Sequence, residues 1–304
     1  MNIEEVKPLQ IKSRNVKQHP YETVKETPKA STNQYSDYLE KNVRERNFFL
    51  IGDGKKAELE LISDNSISKN IIVIGRNASL RLFITIISDS MNDIEIRAQE
   101  NSELNVGFLK HKGAFAYHRQ TIMAETASTI NSASFWAGNG FGESITELRG
   151  VGSNTLHICL SSAGNREEST INSDILHYAN NTSSEIIMRG VAEDSSKTIF
   201  NGRVAVETSG RGSKSNLEQQ ILLLDEDAKA EANPILEIKN NDVDCSHSAA
   251  VRQLDEEKLF YLMSRGLEKS MAKTTMMTGF LRSSMNKIQN KELRNMFMPP
   301  FMRD

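Results

Sequence analysis

The sequence predicts a mainly β fold made from one long succession of short strands, and three observations carry that reading. From about Asn47 to Val251, apolar residues recur at every second position in short runs: "IIVIG" (71–75), "LRLFITII" (80–87), "DIEIRA" (93–98), "ELNVGFL" (103–109), "TLHICL" (155–160), "EIIMRGV" (185–191), "TIFNGRVAV" (198–206) and "ILLL" (221–224). Helical spacing is absent throughout this stretch. A small polar step precedes many of the runs, marked by Ser79, Ser102, Ser128, Ser153, Ser169, Ser183, Ser195 and Ser213. Such residues suit sharp corners because they are small or hydrogen-bond to their own backbone. The recurrence is loose, at about 20 residues per corner, which is the demand of a parallel β-helix rung. A solenoid therefore leads, with a large sandwich as the alternative, and no blade motif of a propeller is present.

The elements follow in order. The first 34 residues are polar and carry Pro8, Pro20 and Pro28, so residues 1–46 are expected to form an N-terminal arm, partly disordered or helical. No apolar h-region follows the start and no apolar window is long enough to span a bilayer, so neither export nor membrane insertion is expected. Residues 47–251 form the β body. In residues 252–304 the pattern turns helical: "LDEEKLFYLMSRG" places Leu259, Phe260, Leu262 and Met263 on one face, has acids in front, and stops at Gly266. Met277, Phe280, Leu281, Met285 and Ile288 mark a second helix. This region also holds Met263, Met271, Met276, Met277, Met285, Met296, Met298 and Met302, and flexible thioethers suit an adaptable docking surface as well as they suit a cap on an open sheet end.

Charge narrows the partners. Lys plus Arg is 37 against 40 for Asp plus Glu, a net charge of -3, which recruits neither nucleic acid nor an anionic membrane. The two cysteines, Cys159 and Cys245, fit a reducing compartment, and a cytoplasmic location is expected.

Two short motifs carry possible chemistry. "TLHIC" and "DCSH" each place a His and a Cys two residues apart, hence on one strand face, so His157, Cys159, Cys245 and His247 would make four soft ligands if adjacent rungs joined them. The simpler reading makes His157, Cys159 and also His177 packed rung residues. Nucleotide motifs fail: "GRGSKS" (210–215) lacks the P-loop spacing, and the glycines of "FWAGNGFGES" (135–144) precede no helical run. No nucleophile elbow or HExxH is present, while acids along a β-helix groove keep a carbohydrate-active or carbohydrate-binding protein as an alternative.

The C-terminal third resembles a known family. "FNGRVAVE" (200–207), followed by "LLLDEDAKAEANPILEIKNNDVDCSHSAAVRQLDEEKLFYLMSRGLEKSMAKTTMMTGF" (222–280), is similar to SufB/SufD scaffold proteins of SUF iron-sulfur cluster assembly, in the order and spacing of LLL, P, LEI, CSH, LD, LFYL, SRG and GF. The resemblance covers roughly residues 170–285, and the N-terminal region looks shorter than is usual in the family. It implies a right-handed parallel β-helix and a non-enzymatic scaffold subunit that pairs through its last rungs with a SufB-like paralogue or a second copy of itself. It also implies docking of a SufC-type ABC ATPase by the C-terminal helices, with Leu259, Phe260, Tyr261, Arg265, Gly266 and Phe280 as contact residues. His247 would lie at the pairing interface and serve as a candidate ligand of a transient Fe-S cluster, with Cys245 beside it. No tightly bound cofactor is implied, though reduced flavin is possible in the complex. Gln219 stands where a SufB-type chain has an essential Cys, and Ser248 replaces a Glu, so the chain looks closer to the SufD type.

Overall fold

The alternating segments close on themselves as two nine-stranded sheets that share one apolar interior. The computed structural model describes residues 9–19, 33–288 and residue 294. Pro8, Pro20, Pro28, Met296, Met298 and Met302 lie outside the described residues. Sheet A contains β1 (Gln10–Arg14), β4 (Lys56–Ser63), β6 (Ser79–Ile86), β8 (Glu103–Lys110), β10 (Thr129–Ala137), β12 (Asn154–Ala163), β14 (Ser183–Ala192), β16 (Lys214–Leu223) and β18 (Asp244–Gln253), in that spatial order. Sheet B runs from β2 (Lys17–His19) through β3 (Glu45–Ile51), β5 (Ile67–Ile74), β7 (Ser90–Ala98), β9 (Ala116–Ala124), β11 (Gly140–Leu148), β13 (Glu168–His177) and β15 (Lys197–Val206) to β17 (Lys229–Ile238). From β3 to β18 the chain alternates between sheets and each strand pairs in parallel with the one two ahead, which is a parallel β-solenoid.

Period-two patterning positions the core. In β6, Leu80, Leu82, Ile84 and Ile86 point into the lumen and are fully buried, while Arg81 on the other face is exposed. Lumen side chains from both sheets form one continuous cluster from Phe49 and Leu59 up to Leu217 and Ile221.

The turn is longer than the sequence period suggested. Glu58 and Arg81 stand side by side in β4 and β6 at a sequence separation of 23, and Arg189 and Gln220 in β14 and β16 at a separation of 31. Each turn holds two strands and two corners. Ser79, Ser102, Ser128 and Ser153 lead only into sheet A, so they mark whole turns, whereas Ser169 and Ser195 lead into sheet B and mark half turns. The corner chemistry itself is as expected: Ser128 Oγ donates to the Glu125 carbonyl at 2.6 Å and Ser153 Oγ to that of Gly150 at 2.8 Å. Asn77, Asn101, Asn165, Asn181 and Asp194 take the left-handed conformation that their short polar side chains tolerate.

Among the described residues, three helices, α1 to α3, pack on the solenoid. α1 (Gln34–Asn42) lies on the outer face of sheet B, with Leu39 against Ile67, Met91 and Tyr117. Its N-cap Asn33 accepts from the backbone of Tyr35 and Ser36 and reaches Glu143 of β11. α2 (Glu256–Ser264) and α3 (Lys269–Met285) cover sheet A, where Phe135, Ile158, Leu160, Ile187 and Val191 meet Leu259, Ala272, Leu281 and Met285.

The expected domain limits shift slightly. β3 begins at Glu45 and β18 ends at Gln253, so both ends of the β body reach a little beyond 47–251. Within the expected arm, residues 10–14 and 17–19 are strands rather than helix or coil. β1 pairs antiparallel with β4, β2 antiparallel with β3, and Ile11 and Val16 pack on the lumen cluster. Closing two sheet edges is what orders so polar a segment.

Candidate functional site

At the far end of the solenoid, β17 and β18 are the last strands of sheets B and A, and no described strand covers either edge. Their lumen-facing side chains form the mouth. Ala230, Ala232, Leu236, Val243 and Cys245 pack partly on the last closed layer. His247 continues the column of the buried Leu217, and Val251 that of Ile221. Ile238 and Val251 remain 41% and 44% exposed, an apolar rim on water.

The backbone of these edges differs between the two strands. Asp244 N–H donates to the Ser213 carbonyl at 3.0 Å and Leu254 N–H to that of Leu223 at 2.8 Å. In a parallel ladder this alternation turns the even residues of β18 toward β16, so Cys245, His247, Ala249, Val251 and Gln253 aim N–H and C=O away from the solenoid. On β17, Lys229 and Lys239 N–H bond the Ser196 and Val206 carbonyls, which turns the even residues outward, and Pro234 is one of them. The outward edge of β17 thus lacks a donor at its middle, as edge strands often do, while that of β18 is complete.

Cys245 and His247 do share the lumen face, and Ser246 points the other way, its Oγ donating to Asn216 Oδ1 at 3.0 Å. Partial burial pushes the Cys245 thiol up, against an opposing backbone hydrogen bond with Ser215. A raised thiol is a packing group more than a poised nucleophile. The four-ligand assembly weighed against the packed-core reading does not form. His157, Ile186, Leu217 and His247 stand side by side in β12, β14, β16 and β18, so three strand spacings, about 14 Å, separate the two histidines. Among the described residues no group of three or more His, Cys, Asp or Glu side chains is placed to hold a metal ion.

His157 and Cys159 are lumen core, as is His177. Burial lowers His157 to about 4 and raises Cys159 to about 12, the latter despite a hydrogen bond with Ser134. His177 bonds Thr182 Oγ1 at 2.7 Å and Ser184 Oγ at 2.9 Å. Sequence reading passed over His118, which is buried against Phe108 at a ring separation of 4.4 Å and faces the same small void of about 20 Å³ as His157. Its alternation within "AYHRQTIMA" was the available signal. Gln219 is fully buried in the lumen, with Nε2 3.4 Å from Met188 Sδ. A Cβ on Gly202 would come within 2.4 Å of that amide, so Gly202 is what admits so long a side chain there.

The residues expected on the helical docking face divide. Phe260 and Tyr261 are exposed, at 72% and 57%, as are Met263 and Met271. Leu259 is 2% exposed and anchors α2, so it supports the surface from beneath. The exposure of Phe260 and Met263 also revises the expected apolar face: Leu259 and Leu262 pack inward instead. Phe280 packs beside the sheet with Arg189 over its ring at 5.2 Å, and lines a cleft of about 440 Å³ with Met276, Lys258 and Arg252. Arg265 sits over the Tyr261 ring, and Gly266, with φ of 96°, ends the helix where a side chain would be strained.

Comparison with known proteins adds the following. The profile of the SUF system FeS cluster assembly SufBD core domain matches residues 57–280. The chain is 33% identical over 153 residues to the iron-sulfur cluster assembly protein SufD of Bacillus subtilis, covering 50% of this chain and 35% of that protein. It is 28% identical over 166 residues to SufB of the same organism, covering 53% of this chain and 36% of that protein. It is 30% identical over 152 residues to a SufBD family protein of Staphylococcus saprophyticus, covering 48% and 33%. The matched stretch spans about a third of the length of these curated relatives.

Proposed function

From the premise that this chain belongs to the SufBD family of SUF iron-sulfur cluster assembly proteins, we propose that it is a non-catalytic scaffold subunit, cytoplasmic, that pairs through its open mouth with a like chain. A SUF role displaces the carbohydrate reading, for which no particular observation speaks. The observation that carries the proposal is the unfinished last turn: a complete row of outward backbone groups on β18 beside an exposed apolar rim. Exposed strand edges with apolar flanks are unstable in isolation and are resolved by another strand.

In this reading the nascent cluster is cargo, assembled where two mouths meet, and no tightly bound cofactor belongs to the chain. His247, exposed and lumen-facing at the seam, offers an imidazole to iron. On the resemblance, Gln219 stands near the position of the essential Cys of a SufB-type chain, which supports a SufD-like role. Phe260, Tyr261, Met263 and Met271 provide an apolar, adaptable surface for a SufC-type ABC ATPase, continuous through α2 with β18 and so able to pass ATP-driven motion to the seam.

The test is reconstitution of the complex with His247→Ala. The expected result is a loss of cluster yield with pairing intact. Unchanged yield and rate would remove His247 from the mechanism.

A further inference from the structure

The lumen changes character partway along the solenoid. In an early turn it is filled by an aliphatic column, Leu80, Leu82, Ile84 and Ile86. From β9 to β12 it carries His118, Gln120, Ser132, Ser134, Ser144 and His157 around one void of about 20 Å³. We infer that this void is a binding site for one water molecule, which bridges the imidazoles of His118 and His157. The two residues are 4% and 3% exposed, and no described group bonds any of their four ring nitrogens. A neutral imidazole has one N–H and one bare nitrogen, and both need partners when buried.

Size, charge and rigidity choose the guest. A water needs about 10–15 Å³ of space for its centre and two to four polar partners, and the chamber meets both demands. An ion is disfavoured because the one carboxylate beside the void, that of Glu143, is turned to the outer face of sheet B. There Tyr117 Oη donates to it at 2.8 Å and Asn33 Nδ2 at 3.0 Å, so a charge in the chamber would lack a counter-charge. Burial keeps both imidazoles neutral at pH 7, so one ring can donate and the other accept, as a bridging water requires. Aromatic walls hold the space open. Phe108 stands 4.6 Å from Trp136 and 4.4 Å from the His118 ring, and a Cβ on Gly142 would come within 2.5 Å of Trp136. Rings wedged this closely cannot slide in to fill the gap. Gln120, Ser132 and Ser144 line the same space and offer the water its other bonds. One water so placed halves the unmet ring nitrogens and fixes a tautomer on each ring.

A double-mutant cycle on the full chain, read by thermal unfolding, tests the bridge. His118→Leu and His157→Leu keep the side-chain size close. Each alone strands the water and the other ring, so each is expected to lower Tm by about 2–4 °C, and the double variant to fall by clearly less than the sum. Two imidazoles with no shared guest give the opposite sign, because replacing an unpartnered buried polar group by an apolar one of similar size is a relief. A rise in Tm for each single change, or strict additivity, overturns the bridge. The wild-type chain supplies a second reading that no folding defect can spoil. Nitrogen-15 spectra of its imidazoles should show His118 and His157 each in one tautomer, steady between about pH 8 and pH 5.5, and a mixture of tautomers in either ring overturns the bridge. Metal analysis decides the guest. A stoichiometric ion held by the wild-type chain and lost in His157→Leu overturns water as the occupant, while a metal-free chain with both tautomers fixed sustains it.

Discussion

The two ends of this solenoid are built from the same alternating sequence and are treated in opposite ways. At the start, β1 and β2 turn back antiparallel onto β4 and β3, and Leu9, Ile11 and Val16 cover the lumen. At the finish, the lumen residues of β17 and β18 are left half-buried or exposed, with no described strand beyond them. One end carries its own antiparallel strands, and the other requires them from outside. The cap also shows that an antiparallel strand fits the end of a parallel stack.

The difference can be broken or sharpened by substitutions placed along the axis. The largest effect belongs to the closed interior. Leu82→Ala should lose about 2–5 kcal/mol in denaturant unfolding, because Leu82 is fully buried one turn in from the cap. A loss below about 1 kcal/mol would mean that this end is not closed.

Acid comes next. Burial holds His118 near 3 and His157 and His177 near 4, below the ordinary imidazole value. The unfolded chain takes up these protons first, so stability is undiminished above about pH 6.5 and falls as pH drops toward about 4. The expected slope is up to about 1.4 kcal/mol per pH unit for each histidine. Unfolding measured between pH 7 and 4.5 should show it, and His157→Leu should reduce it; an unchanged slope would separate His157 from the effect.

At the open end the monomer should barely notice. Leu236→Ala, on a side chain only partly packed against the lumen, is expected to change unfolding of the unpaired chain by less than about 1 kcal/mol and to weaken pairing more, read by sedimentation. The smallest effect on stability is expected for Phe260→Ala, within about 0.5 kcal/mol, since the ring is mostly in water. Its consequence should appear in co-purification with the ATPase, and full retention there would move the docking surface elsewhere.

Much of this was readable beforehand, for reasons tied to particular residues. Runs such as "LRLFITII" announce strands because one face is buried, and Ser128 and Ser153 announce corners because a hydroxyl folds back on its own turn. The turn length was hidden because identical small residues serve both corners, so whole and half turns look alike. The cap was hidden because "QIKSR" and "KQH" are polar and acquire strand structure only from the edges they meet. The division between Leu259 and Phe260 was hidden because both fit a helical stripe, and only the position of sheet A decides which is covered. The separation of His157 from His247 needed the strand order, which no local pattern contains.

The lengthening of the turns, from a separation of 23 near the cap to 31 near the mouth, also bears on how such a chain can change. A repeat protein with equal units gains or loses one by duplication, since every unit fits every neighbour. Here a copied early turn set beside a late one would fall short by several residues and leave corner backbone unpaired. Neighbouring turns differ by only a few residues while early and late ones differ by many, so a duplicated turn is expected to be tolerated beside its own neighbours and rejected at the other end of the stack.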